Sequence, residues 1–66
     1  MNLILLKHYY FLPEAELAKS RLENNGIKCL LQKEGIPGAG STLSQEADLF
    51  VEKIYKEKSE KILEIF

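Results

Sequence analysis

Sixty-six residues, with nine lysines and arginines against ten aspartates and glutamates, give a net charge of −1 at pH 7. The two signs are interspersed, so neither a nucleic-acid backbone nor an anionic membrane is an expected partner. A chain this short makes one small domain, residues 1–66, and it buries only about 60% of the surface that it exposes when unfolded.

Small domains often supplement such a core with disulfides, a metal or a partner subunit. Cys29 is the one cysteine and His8 the one histidine, which excludes an internal disulfide and argues against a metal. A partner subunit remains. Leu3-Ile4-Leu5-Leu6, followed by Lys7, is too short for a signal-peptide core or a membrane span, so a cytoplasmic protein is expected.

The first stretch, Leu3 to Tyr10, is aliphatic and then aromatic without a helical period, and it reads as a strand. Its alternate sets are Ile4, Leu6, His8 and Leu3, Leu5, Lys7, Tyr9. The charge on Lys7 suggests that the second set looks away from the helices. Pro13 suits the first position of the helix that follows, with Glu14 and Glu16 in its first turn, where the helix dipole favours them. Ala15, Ala18 and Leu22 form its inward stripe. Leu17 falls off that stripe, as an exposed leucine or as part of a contact with another chain.

Asn24-Asn25-Gly26 stops this helix, because glycine takes the left-handed backbone conformation without a Cβ penalty. The second strand then alternates Ile27, Cys29, Leu31, facing the helices, with Lys28, Leu30, Gln32. Lys33 to Glu46 is a long loop whose glycines, proline and hydroxyl residues break any period. Ala47 to Glu52 resumes strict alternation, with Ala47, Leu49 and Val51 inward and Asp48, Phe50 and Glu52 outward. A second helix starts near Ile54, with Tyr55, Ser59, Ile62, Leu63 and Phe66 along one side. Glu57 and Lys61 stand in the favourable order for an i,i+4 pair.

The order strand, helix, strand, strand, helix sets the first two strands parallel, with the third paired antiparallel between them. The expected fold is α+β: a ferredoxin-like βαββα unit, with a three-stranded sheet in the order 1-3-2 and two helices on one face. No fourth strand follows, so the outer edge of strand one is left open.

With this order, the first strand, Glu14-Ala15-Glu16-Leu17-Ala18-Lys19, Leu22-Glu23, Asn25-Gly26-Ile27, Leu49-Phe50-Val51 and Glu60-Lys61-Ile62-Leu63 together resemble a family of small bacterial proteins. That family is described as signal-transducing, a domain of unknown function likened to the nitrogen-regulatory PII proteins. The resemblance covers most of the chain outside the loop. It departs at Glu52-Lys53-Ile54, where relatives often open the last helix with a proline and acidic residues. It implies the fold and a regulatory role, and it brings no established activity.

No catalytic, cofactor or metal signature stands out. Gly35-Ile36-Pro37-Gly38-Ala39-Gly40-Ser41-Thr42 has the glycine and hydroxyl spacing of a phosphate-binding loop, but Ser41 occupies the lysine position and a strand follows where a helix is needed. Cys29, on the inward set of a strand, reads as a small hydrophobe. His8 reads as a strand-end histidine without a carboxylate partner at motif spacing. There is no Cys-x-x-Cys for copper, and no glycine at Phe11-Leu12-Pro13 to bring backbone to an amino-acid ligand.

The outward set is more informative. Leu3, Leu5, Leu30 and Phe50 lie on the face that neither helix covers, and such a patch marks an interaction surface. RNA-recognition domains share this topology, but their glycine-aromatic signature and basic surplus are missing here. The expected function is a small non-enzymatic regulatory or protein-interaction module. It would assemble through this face or through the strand-one edge, with a second copy or with another protein. The alternative is a metabolite sensor whose 33–46 loop closes, from Gly35 to Gln45, over a small molecule.

Overall fold

A computed structural model describes residues 2–33 and 46–64. Strand β1 (Leu3–Tyr9) leads into helix α1 (Leu12–Asn24), strand β2 (Cys29–Lys33) and strand β3 (Ala47–Glu52). A short 3-10 turn (Lys53–Tyr55) then opens helix α2 (Lys56–Leu63). The sheet runs β1-β3-β2, with β3 antiparallel to both neighbours. This is the ferredoxin-like βαββα arrangement expected from the order of elements.

The stop of α1 is built from two backbone hydrogen bonds. Gly26 takes φ +77°, its N–H donates to the Glu23 carbonyl at 3.0 Å, and the Ile27 N–H donates to the Leu22 carbonyl at 3.0 Å. These are the two bonds of a Schellman motif, and they satisfy carbonyls that the helix end would otherwise leave unpaired. Leu22 and Ile27, thereby held together, are both fully buried. Helix termination and core packing are thus one event. At the other end α1 begins at Leu12, so Pro13 stands one position inside the expected start, where its missing N–H is still harmless.

Among the described residues, helices close one side of the sheet and not the other. Ala47, Leu49 and Val51 of β3 have no exposed surface, and α1 lies across all three strands. Ala15 and Ala18, on the buried stripe of α1, give that approach little bulk to clear. Helix α2 packs on α1 and fills the remaining side with Ile62, Leu63 and the fully buried Ser59. It begins later than its periodicity suggests: Lys53–Tyr55 is a 3-10 turn, and Ile54 is 78% exposed.

Strand β1 departs from the expected alternation. Leu5 pairs with Phe50, but Lys7 pairs with Leu49, so Leu6 is an extra residue on β1 and forms a bulge. Every side chain beyond it changes face. Tyr9, expected to look away from the helices with Leu3, Leu5 and Lys7, registers opposite Ala47 and is buried in the core. Lys7 shares that side, its ammonium 4.9 Å from the centre of the Tyr9 ring. His8, expected on the side of Ile4 and Leu6, instead stands opposite Asp48 on the outer face.

Candidate functional site

The outer face is laid out in rows by the strand register. Leu5, Phe50 and Leu30 form the middle row, with β3 supplying its centre. Leu3 and Glu52 form the row on one side of it. With Lys28 and Leu30 they line a shallow depression of about 230 Å³. His8, Asp48 and Gln32 form the row on the other side, with Glu46 just beyond. The four residues singled out as a candidate surface are therefore contiguous. Leu3 is 41% exposed, Leu5 51% and Leu30 49%, while Phe50 is half-buried between its neighbours. Both helices pack on the opposite side of the sheet.

Beside this apolar patch lies a polar cluster that the spacing of residues in the chain did not reveal. His8 Nδ1 lies 2.5 Å from Asp48 Oδ1, and Nε2 lies 2.8 Å from Glu46 Oε1. Neutral imidazole carries a single N–H, so two carboxylates on its two nitrogens are matched only by imidazolium. Those hydrogen bonds, Asp48 first and Glu46 second, hold the His8 pKa above its ordinary value of 6.5, against a smaller opposing effect of desolvation. Tyr10 meets the ring edge-on at 4.7 Å. The partners lie 40 and 38 positions away along the chain. Only the register of β1 on β3, set by the bulge, brings them to His8. His8 has no carboxylate at motif spacing along the chain, and the geometry adds two from across the sheet.

The other candidates are placed less suggestively. Cys29 points its thiol toward the Lys19 carbonyl, donating at 3.7 Å, and burial pushes its pKa above the ordinary 9.0. A thiol held protonated is a poor nucleophile, which fits the role of a small apolar side chain. Among the described residues, no group of three or more His, Cys, Asp or Glu side chains is placed to hold a metal ion. His8 shows the reason in its own cluster, because its two nitrogens aim at carboxylates on opposite sides of the ring. The phosphate-loop and metabolite-loop readings fall on residues 34–45, outside the described residues.

Among the described residues, no helix is long and apolar enough to cross a membrane. Comparison of the chain with protein-family models, with curated proteins and with solved structures finds no match.

Proposed function

We propose that this chain is a small non-enzymatic, cytoplasmic interaction module that docks through the outer face of its sheet. The regulatory role implied by its resemblance to the signal-transducing, PII-like family is part of the same proposal. The carrying observation is the row Leu5–Phe50–Leu30 with Leu3 beside it, an apolar patch on the side of the sheet opposite both helices. Contiguous exposed apolar surface of this kind is characteristic of interaction sites.

The bulge at Leu6 favours the face over the outer edge of β1. An extra residue breaks the even row of backbone groups that an added strand would need, and edges are commonly protected in this way. The size of the patch sets the strength of docking. Burying what remains exposed of Leu3, Leu5 and Leu30 contributes roughly 2–4 kcal/mol per copy. Association costs on the order of 4–15 kcal/mol in lost freedom, so docking is weak and depends on concentration.

Sedimentation equilibrium over a concentration series tests the reading. The wild-type chain is expected to assemble, and Phe50→Lys, which sets a charge at the centre of the patch, is expected to remain monomeric. Assembly unchanged in Phe50→Lys would move the contact off this face and refute the proposal.

A further inference from the structure

The two carboxylates that hold His8 are not equivalent. Asp48 stands directly opposite His8 in a strand that is paired along both edges, and its side chain is 23% exposed. Glu46 lies just before β3, outside the paired residues, and its side chain is 41% exposed. Asp48 takes Nδ1 and Glu46 takes Nε2, so each nitrogen of the ring serves a different part of the chain. Both contacts are made only while both nitrogens carry a proton.

We infer that His8 is a proton-operated clasp: its imidazolium ties Glu46, and with it the chain entering β3, to β1, while its neutral form keeps Asp48 and releases Glu46.

Removing one proton leaves a single N–H for two carboxylates. The nitrogen that loses it turns a lone pair on a carboxylate oxygen at hydrogen-bond distance, and two facing acceptors cannot stay together. What each carboxylate can do afterwards decides which contact breaks. Asp48 has its backbone fixed by β1 on one side and β2 on the other, and its lower exposure gives it less water to replace a lost bond. Glu46 has one more methylene, more exposure and no ladder pairing of its own, so it can swing out and be hydrated. The remaining proton therefore stays on Nδ1. A bond at one ring nitrogen commonly fixes the tautomer in this way. Free neutral histidine favours the opposite form, with its proton on Nε2, so the tautomer expected here is one that the ring would not choose unaided.

Among the described residues, Asp48 and Glu46 are the charges that face the ring. Tyr10, on the same strand end, meets it edge-on, and Gln32, next in its row on β2, is neutral. Lys7 and Lys33 register opposite Leu49 and Ala47, whose side chains point to the helices, and both helices pack on that other side. Lys28 and Glu52 lie beyond the apolar row, at the far end of the face. Because both contacts favour the charged ring, its pKa is raised above 6.5. The clasp is therefore closed below about pH 6.5 and opens as pH rises through the higher folded value. Opening removes the one positive charge of the cluster and leaves Nε2 as an acceptor oriented by Asp48. The clasp lies within one chain and does not rest on the docking reading.

NMR of the full chain with nitrogen-15 in the histidine ring tests it, over a titration from about pH 5 to about pH 8.5. The expected result is one transition above 6.5, after which Nδ1 keeps the signature of a protonated nitrogen and Nε2 loses it. Through that transition the proximity signals between the His8 ring and the Glu46 side chain are lost, while those to Asp48 persist. Two variants, each checked for wild-type circular dichroism, sharpen the reading. Asp48→Asn is expected to move the proton of the neutral ring to Nε2, where Glu46 accepts it. Glu46→Gln is expected to bring the transition back toward 6.5 and to keep its contact on both sides of it, since an amide can either accept from Nε2 or donate to it.

The wild-type titration decides the matter even where a variant fails to fold. A neutral wild-type ring with its proton on Nε2 overturns the inference. So does a Glu46 contact that passes through the transition unchanged, or one that is missing at low pH.

Discussion

Ser59 is the one buried side chain among the described residues whose polar atom has no hydrogen-bond partner. It lies on α2 with no exposed surface, on the side of the helix that packs toward the core. Burying a hydroxyl without a partner costs about 1–3 kcal/mol, because its bonds to water are lost and nothing replaces them. Serine is also a poorer helix residue than alanine, by up to about 0.5 kcal/mol in a helix interior. Ser59→Ala removes both costs and deletes one atom, so the void it leaves is small. Allowing for local adjustment of the serine in the native protein, the net stabilisation is about 1–2 kcal/mol. In a domain of this size each kcal/mol moves the melting temperature by about 4–8 °C, so Tm should rise by roughly 5–15 °C. Thermal unfolding followed by far-ultraviolet circular dichroism measures it, with urea unfolding as a check. A Tm that is unchanged or lower would mean that the hydroxyl is bonded, and it would remove the reasoning.

Two further outcomes follow from single residues. The His8 pKa is raised on folding, so its contribution to stability is fully present below about pH 6.5, the value in the unfolded chain, and is lost as pH rises through the higher folded value. Wild type should therefore lose urea resistance from about pH 6.5 upward while His8→Gln loses less, with the assay kept well below 9.0, the ordinary midpoint of the Cys29 thiol. A His8 ring that titrates at or below 6.5 by NMR would contradict the double contact. Gly26→Ala meets no atom within 4 Å of the added Cβ, yet must hold φ +77°, so its cost is conformational, about 1–2 kcal/mol by urea unfolding. A neutral result would show that the helix stop does not require the left-handed conformation.

The readable parts of this fold are those in which local chemistry and global packing agree. Asn24-Asn25-Gly26 ends α1 because the backbone there needs a residue free of Cβ, and no tertiary contact overrides it. Strand β3 alternates so strictly that its buried set, Ala47, Leu49 and Val51, could be assigned from sequence. Leu30, outward on β2, was equally plain, as was the burial of Ile27 just before that strand. What could not be read is non-local. A bulge leaves no residue signature in Leu3 to Tyr9, since Leu6 resembles its neighbours, and its cost or benefit is decided by the strand alongside. His8 therefore looked solitary. Its carboxylates become neighbours only through a register that has to be seen. The late start of α2 has a similar cause. Lys53 donates its N–H to the Asn2 carbonyl at 2.8 Å, which holds the chain at the sheet's end through the 3-10 turn before the regular helix begins.

The bulge at Leu6 is also the link between fold and proposed docking. The residues before it need Leu3 and Leu5 outward and Ile4 inward, as the pairing of Ile4 with the fully buried Val51 demands. Continued without interruption, that alternation would turn His8 toward the helices and Tyr9 out to water. An imidazole in the core would need polar partners that the aliphatic residues there do not supply. A single inserted residue resolves the conflict: Tyr9 completes the core and His8 reaches Asp48 and Glu46. It adds the histidine–carboxylate cluster to the outer face beside the apolar row, and it breaks the regular edge of β1 along which unspecific strand pairing would occur. The same bulge disfavours pairing along the competing edge, and for this reason the proposed docking is placed on the face.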